Sequence, residues 1–218
     1  MNATIGGIRL YYEKTGTGSP VLLLHGNGGS IDVFRRAIPL LAKKHTVWAL
    51  DSRCHGKSEN AETLLYSDLA ADTAAFIRDV IGEPVAVIGH SDGGITALLL
   101  AIDYPDTVTQ IFPCGANSSP AGLKAIFTVP TKLAYRFTHD RFRAMMLYGP
   151  HIDAGMLARI ECPVHLLAGQ NDLIRLQDTL FIANHCKNST VDVLPGEDHT
   201  SYIRKGKKLL RVLEQYLT

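Results

Sequence analysis

Short apolar runs punctuate the chain at intervals, and the first of them, Val21-Leu22-Leu23-Leu24, reads as a buried strand. Val85-Ala86-Val87-Ile88 and Pro163 to Ala168 read in the same way, with Thr46 to Leu50, Val108 to Cys114 and Thr190 to Leu194 as further strands. Ile8 to Lys14 is different. There Leu10 and Tyr12 alternate with polar neighbours, which predicts a half-exposed strand. Between the strands the period lengthens: Val33, Ala37, Leu40 and Leu41 share one face of a helix over Asp32 to Lys44, and Leu69, Ala70, Thr73, Phe76, Ile77 and Val80 share one face over Ser67 to Ile81. Thr96 to Tyr104 predicts a buried helix, Asp178 to Cys186 another, and Tyr202 to Leu217 a closing one. Strands that alternate with helices imply a mainly parallel sheet covered by helices on both faces. Sites in such sheets form beyond the carboxyl ends of the strands.

The alternation breaks between residues 117 and about 160, where aromatic and methionine side chains accumulate. One or two short helices over Pro130 to Leu147 would make this a small lid. Phe127, Phe137, Met145, Met146 and Tyr148 are then candidate substrate contacts, with ordinary helix-face packing as the alternative.

A chain of 218 residues with a net charge of +1 predicts one domain and gives no footprint for nucleic acid or an anionic membrane. The densest basic run, Arg204, Lys205, Lys207 and Lys208, reads as the solvated face of the last helix. The N-terminus lacks a basic leader and an apolar core, and no run approaches a membrane span, so a cytoplasmic protein is expected. The four cysteines include no CxxC pair and the histidines show no ligand spacing, so neither a metal nor a cofactor is implied.

Chemistry gathers in the loops after the strands. Gly89-His90-Ser91-Asp92-Gly93 puts a serine between a strand and a helix with glycine two residues to either side, the spacing of a strained turn that lifts a hydroxyl above the sheet. Such a hydroxyl needs a base, and the base needs an acceptor that fixes its tautomer. His199, in the turn-rich stretch after the last strand, and Asp172, just past the preceding strand, complete the order Ser, Asp, His. The Gly56-Lys57-Ser58 sequence is not a phosphate loop, because Asp51 stands where its first glycine would be.

Five motifs in this order resemble the α/β-hydrolase family, of the short-lidded serine esterase type: His25-Gly26-Asn27-Gly28-Gly29, Asp51-Ser52-Arg53-Cys54-His55-Gly56-Lys57-Ser58, Gly89-His90-Ser91-Asp92-Gly93, Gly169-Gln170-Asn171-Asp172 and Asp198-His199. The resemblance covers nearly the whole chain. It implies a single domain over 1–218, with a small helical lid inserted after the sixth strand. It also implies Ser91 as nucleophile, His199 as base, Asp172 as its orienter, and the backbone N–H groups of Asn27 and Asp92 as the oxyanion hole. A small-molecule ester is the implied substrate. Carbon–carbon bond or lactone hydrolysis, and a slow-turnover ligand receptor, use the same triad and stay open; an aspartate-nucleophile dehalogenase or epoxide hydrolase is disfavoured by serine at 91. Three departures stand out: Cys54 where the family has glycine; Asp92, which is either a charge at a helix N-terminus or a filter against anionic acyl groups; and a chain short for the family, which implies a reduced lid and an open pocket.

Overall fold

A computed structural model describes residues 1–217 of the chain. Its strands are β1 (Asn2–Ile5), β2 (Ile8–Thr15), β3 (Ser19–Leu24), β4 (His45–Leu50), β5 (Val85–His90), β6 (Val108–Cys114), β7 (Val164–Asn171) and β8 (Ser189–Asp198). They form one sheet in the order β1-β2-β4-β3-β5-β6-β7-β8. The first two strands make a hairpin and β2 pairs antiparallel with β4; every pair from β4 onward is parallel.

The apolar runs are continuous because successive residues of the inner strands enter two different cores. Leu22, Leu24, Val85 and Val87 pack with α2 (Tyr66–Phe76), α3 (Asp92–Asp103) and α7 (Leu176–His185). Val21, Leu23, Ala86 and Ile88 pack on the opposite face with Phe34, α1 (Ile38–Leu41), α8 (Ser201–Lys205) and α9 (Lys207–Leu213). The doubly covered, mainly parallel sheet expected from the alternation is present.

Boundaries differ where backbone geometry outweighs periodicity. The strand β1 carries little apolar signal, and its pairing follows from the two-residue turn Gly6-Gly7, whose φ values of 55° and 83° suit a tight hairpin. The helix expected over Asp32 to Lys44 divides into a 3-10 turn at Ile31–Phe34 and α1, with Pro39 at its start. The closing helix is cut at Gly206, whose φ of 67° ends α8. At the sheet edge β8 runs through Pro195 to Asp198, a position where a proline removes no inner ladder bond.

Between β6 and β7 lie α4 (Ala125–Thr138), α5 (Arg141–Tyr148) and α6 (Ala154–Leu157). No helix among the described residues is long and apolar enough to cross a membrane.

Candidate active site

At the carboxyl end of β5 the chain turns sharply into α3, and Ser91 at the corner has φ 55° and ψ −116°. A side chain in that conformation is strained, and it persists because its surroundings leave no alternative. Added Cβ atoms on Gly89 and Gly93 would lie 2.1 Å from the carbonyl oxygens of Gly93 and Leu24, so the corner closes only with glycine at both places. Gly26 approaches from the loop after β3, where a Cβ would stand 2.9 Å from that of Ser91. The corner is further tied to the neighbouring strand by a 2.8 Å bond from Ser91 N to the Cys114 carbonyl.

His199 follows β8 and Asp172 follows β7, and the sheet order brings them to one edge. His199 Nδ1 donates to Asp172 Oδ1 at 2.6 Å, which leaves Nε2 as the acceptor nitrogen while the ring is neutral. Asp172 also accepts from Ile174 N at 3.0 Å and Gly169 N at 3.2 Å. Burial alone would raise its pKa, but the His199 bond and charge together with these amides outweigh burial and hold the carboxyl below its usual range.

Two residues near His199, one beneath its ring and one anchoring the loop that carries it, have no motif signal. Gly115 has φ 64°, and a Cβ there would meet His199 Nδ1 at 2.8 Å and Asp172 Oδ2 at 3.3 Å, so the backbone after β6 is the floor of the imidazole. Glu197 is buried two residues before His199 and accepts from Lys205 at 2.8 Å, from Lys208 and from the Ser201 hydroxyl. These bonds, Lys205 first, bring its pKa down to about 2. A depressed carboxylate contributes stability that is present above its unfolded pKa and lost as pH falls through the folded value. The Glu197→Gln variant is therefore expected to melt below the wild type at pH 7, with the gap narrowing as pH falls from about 4.5 towards 2; thermal melts across that range check it.

Asp92 is buried at the first turn of α3, with Oδ2 accepting from Asn27 Nδ2 at 2.8 Å and Oδ1 from the Tyr66 hydroxyl at 2.9 Å. Burial raises its pKa, and those two bonds oppose the rise. The Asn27 amide also donates to the Phe142 carbonyl of α5 at 3.2 Å, so one side chain links the loop after β3, the first turn of α3 and the helical segment. The backbone N–H groups of Asn27 and Asp92 have no acceptor among the described residues. Both therefore stay available to an incoming oxygen.

The neighbouring imidazoles hold loops. His25 donates from Nδ1 to the Gly26 carbonyl and accepts from Ser52 N, and His90 donates to the His199 carbonyl at 3.0 Å. Burial keeps both neutral, with pKa values lowered to about 4 and about 3. Cys54 takes a left-handed φ of 65° in place of the family's glycine, and its sulfur accepts from Ala61 N at 3.2 Å.

A cavity of about 520 Å³ opens on this edge, lined by Ser91, His199, Asp92, Asn27 and Tyr66. Of the five candidate contacts from the helical segment, Phe127 and Met146 reach its wall. Phe137 and Tyr148 do not, being 76% and 65% exposed, and Met145 is 5% exposed within the core beneath α5. Helical phase separates them: adjacent Met145 and Met146 point about 100° apart, so one packs inward and one faces the cavity. Leu123 and Leu173 line the wall instead, and neither stands out in the sequence. Among the described residues no group of three or more His, Cys, Asp or Glu side chains could hold a metal ion.

Comparison with known proteins agrees with this architecture. A family model described as alpha/beta hydrolase fold matches residues 19–137. Serine hydrolase BPHL of Homo sapiens is 27% identical over an alignment covering 98% of this chain and 84% of the relative. A soluble epoxide hydrolase of Corynebacterium sp. (strain C12) is 35% identical over 64% of this chain and 49% of its own. Among solved structures, the enol-lactonase from Burkholderia xenovorans LB400 superposes with a TM-score of 0.82 over 100% of this chain and 99% of its own, at 16% identity.

Proposed function

The chain belongs to the alpha/beta hydrolase fold family, and from that premise we propose that it is a serine hydrolase that cleaves small carboxylic esters through an acyl-enzyme on Ser91. The observation that carries the reading is the 2.6 Å bond between His199 and Asp172 beside the cavity that Ser91 lines. Serine at position 91 sets it apart from members with an aspartate nucleophile. The whole of 1–218 is read as one hydrolase domain, with the helical segment over 117–160 as its lid.

In this reading Ser91 Oγ attacks the ester carbonyl while its proton passes to His199 Nε2. Asp172 keeps the imidazole in the tautomer that can accept that proton and stabilises the imidazolium. The carbonyl oxygen, now negative, is held by the Asn27 and Asp92 amides at the positive end of α3. Removing one such donor typically costs about 2.7–4 kcal/mol of barrier. When the intermediate collapses, the C–O bond to the alcohol breaks and His199 returns the proton to the departing oxygen. Water, deprotonated by the same nitrogen, then attacks the acyl-serine and releases the carboxylic acid. The Asp92 carboxylate borders the cavity and disfavours anionic acyl groups.

A fluorophosphonate probe and short p-nitrophenyl esters test the assignment together. One equivalent of probe is expected on Ser91 of the folded protein, alongside release of many equivalents of nitrophenolate per chain. Absence of labelling would overturn the nucleophile, and a single equivalent of release followed by a lasting acyl adduct would turn the reading towards a ligand receptor.

A further inference from the structure

The wall of the Ser91 cavity carries both signs of charge. Its lining includes Asp92, Tyr66, Phe127 and Met146, and also Thr200, which follows His199 directly in the chain, and Arg204, one helical turn further on. Beyond Arg204 a second, open cavity continues outward, bounded by Arg204, Arg35, Arg36, Asp32 and Val33, and it shares Arg204, Asp32 and Val33 with the first. Asp32 is bound to Arg35. The guanidinium groups of Arg36 and Arg204 have no hydrogen-bond or ion-pair partner among the described residues. Lys205 and Lys208, which follow Arg204 in the same basic run, are bound to Glu197. Arg204 is thus the member of that run that turns to the cavity, and Gly206, where a Cβ would lie 2.8 Å from the Arg36 backbone, keeps the two arginine-bearing segments in close contact.

Chemistry says which part of a substrate meets these charges. The oxygen of the leaving group must lie within reach of His199 Nε2 to receive its proton, so the leaving group extends along the His199, Thr200 and Arg204 wall. The acyl group takes the other side, against Asp92, Phe127 and Met146. We infer that the natural substrate carries an anionic substituent, a carboxylate or phosphate, on its leaving group, held by Arg204, where the two cavities join, and by Arg36 in the second. The inference rests on the roles of Ser91 and His199 proposed above. Guanidinium groups suit such oxygens because they offer paired, parallel N–H donors. The same charge distribution lets Asp92 repel a misplaced anion from the acyl side, so orientation is set by charge at both ends.

The test compares two esters that differ in charge on the leaving group: 4-acetoxy-3-nitrobenzoate and its methyl ester, followed by nitrophenolate release. The ratio of their kcat/KM values, anionic over neutral, is measured for the wild type, Arg204→Gln, Arg36→Gln and Lys207→Gln. In Arg204→Gln the ratio is expected to fall by roughly tenfold, mostly through KM, as for the loss of one charge-assisted hydrogen bond; Arg36→Gln lowers it less, and Lys207→Gln leaves it at the wild-type value. An unchanged ratio in Arg204→Gln, or an equal fall in Lys207→Gln, overturns the inference. If neither ester turns over, the Ser91 reading fails on its own account. Calorimetric titration of 4-hydroxy-3-nitrobenzoate into wild type and Arg204→Gln then decides the anion site: binding lost in the variant upholds it, and equal or absent binding overturns it.

Discussion

Replacing Ser91 with alanine is expected to lower kcat for short p-nitrophenyl esters by about 10⁴- to 10⁶-fold, with the melting temperature close to that of the wild type. The side chain makes no hydrogen bond among the described residues, so its loss leaves no partner unsatisfied. Alanine meets the same backbone strain at φ 55° that serine already bears, and the glycines that make the corner possible stay in place. What disappears is the proposed nucleophile. Residual hydrolysis would come from binding and the two amide donors, which still polarise a carbonyl for attack by water. Retention of wild-type turnover in the purified variant, checked by initial rates and by loss of fluorophosphonate labelling, would rule out Ser91 as the attacking group.

Asp172→Asn is expected to lower kcat by about 10⁴-fold while leaving KM within a few-fold. The substitution keeps the volume and keeps an oxygen for the Ile174 or Gly169 amide, so the loop after β7 retains its path. It changes the proton on the imidazole. An amide nitrogen turned to His199 would donate to Nδ1, the ring would carry its hydrogen on Nε2, and that nitrogen could no longer take the serine proton. The charge that stabilises the imidazolium goes with it. Initial rates across pH give the measurement; a variant within tenfold of wild type would mean that another acceptor orients His199.

The sequence makes the central strands and the chemistry-bearing loops legible for a common reason. Buried parallel strands such as Val85 to Ile88 must be apolar on both faces, and a loop whose backbone is crowded must use glycine, as at Gly89 and Gly93. Both constraints leave a local mark. The supports of His199 leave none: Gly115 is far from it in the chain, and Glu197 looks like any loop carboxylate until α8 and α9 bring Lys205 and Lys208 to it. The same holds in the basic run, where Arg204 reads like its neighbours until the fold pairs Lys205 and Lys208 with Glu197 and leaves Arg204 facing the cavity. In the helical segment a cluster of aromatic and methionine residues says only that an apolar surface exists. Which of Phe127, Phe137, Met145, Met146 and Tyr148 meets the cavity depends on helix phase and docking, and only two of them do.

Gly115 also bears on how this chain can change over generations of mutation. Every replacement of a glycine brings at least a Cβ, and here that atom falls on the imidazole ring at 2.8 Å, in a backbone conformation that side chains resist as well. Phe127 or Met146 can drift with each new acyl group, since each alters only the outline of the cavity. Position 115 has no such latitude. In a library selected for turnover on any ester whatever, diversity should collect along the cavity wall, while the codon for residue 115 stays silent.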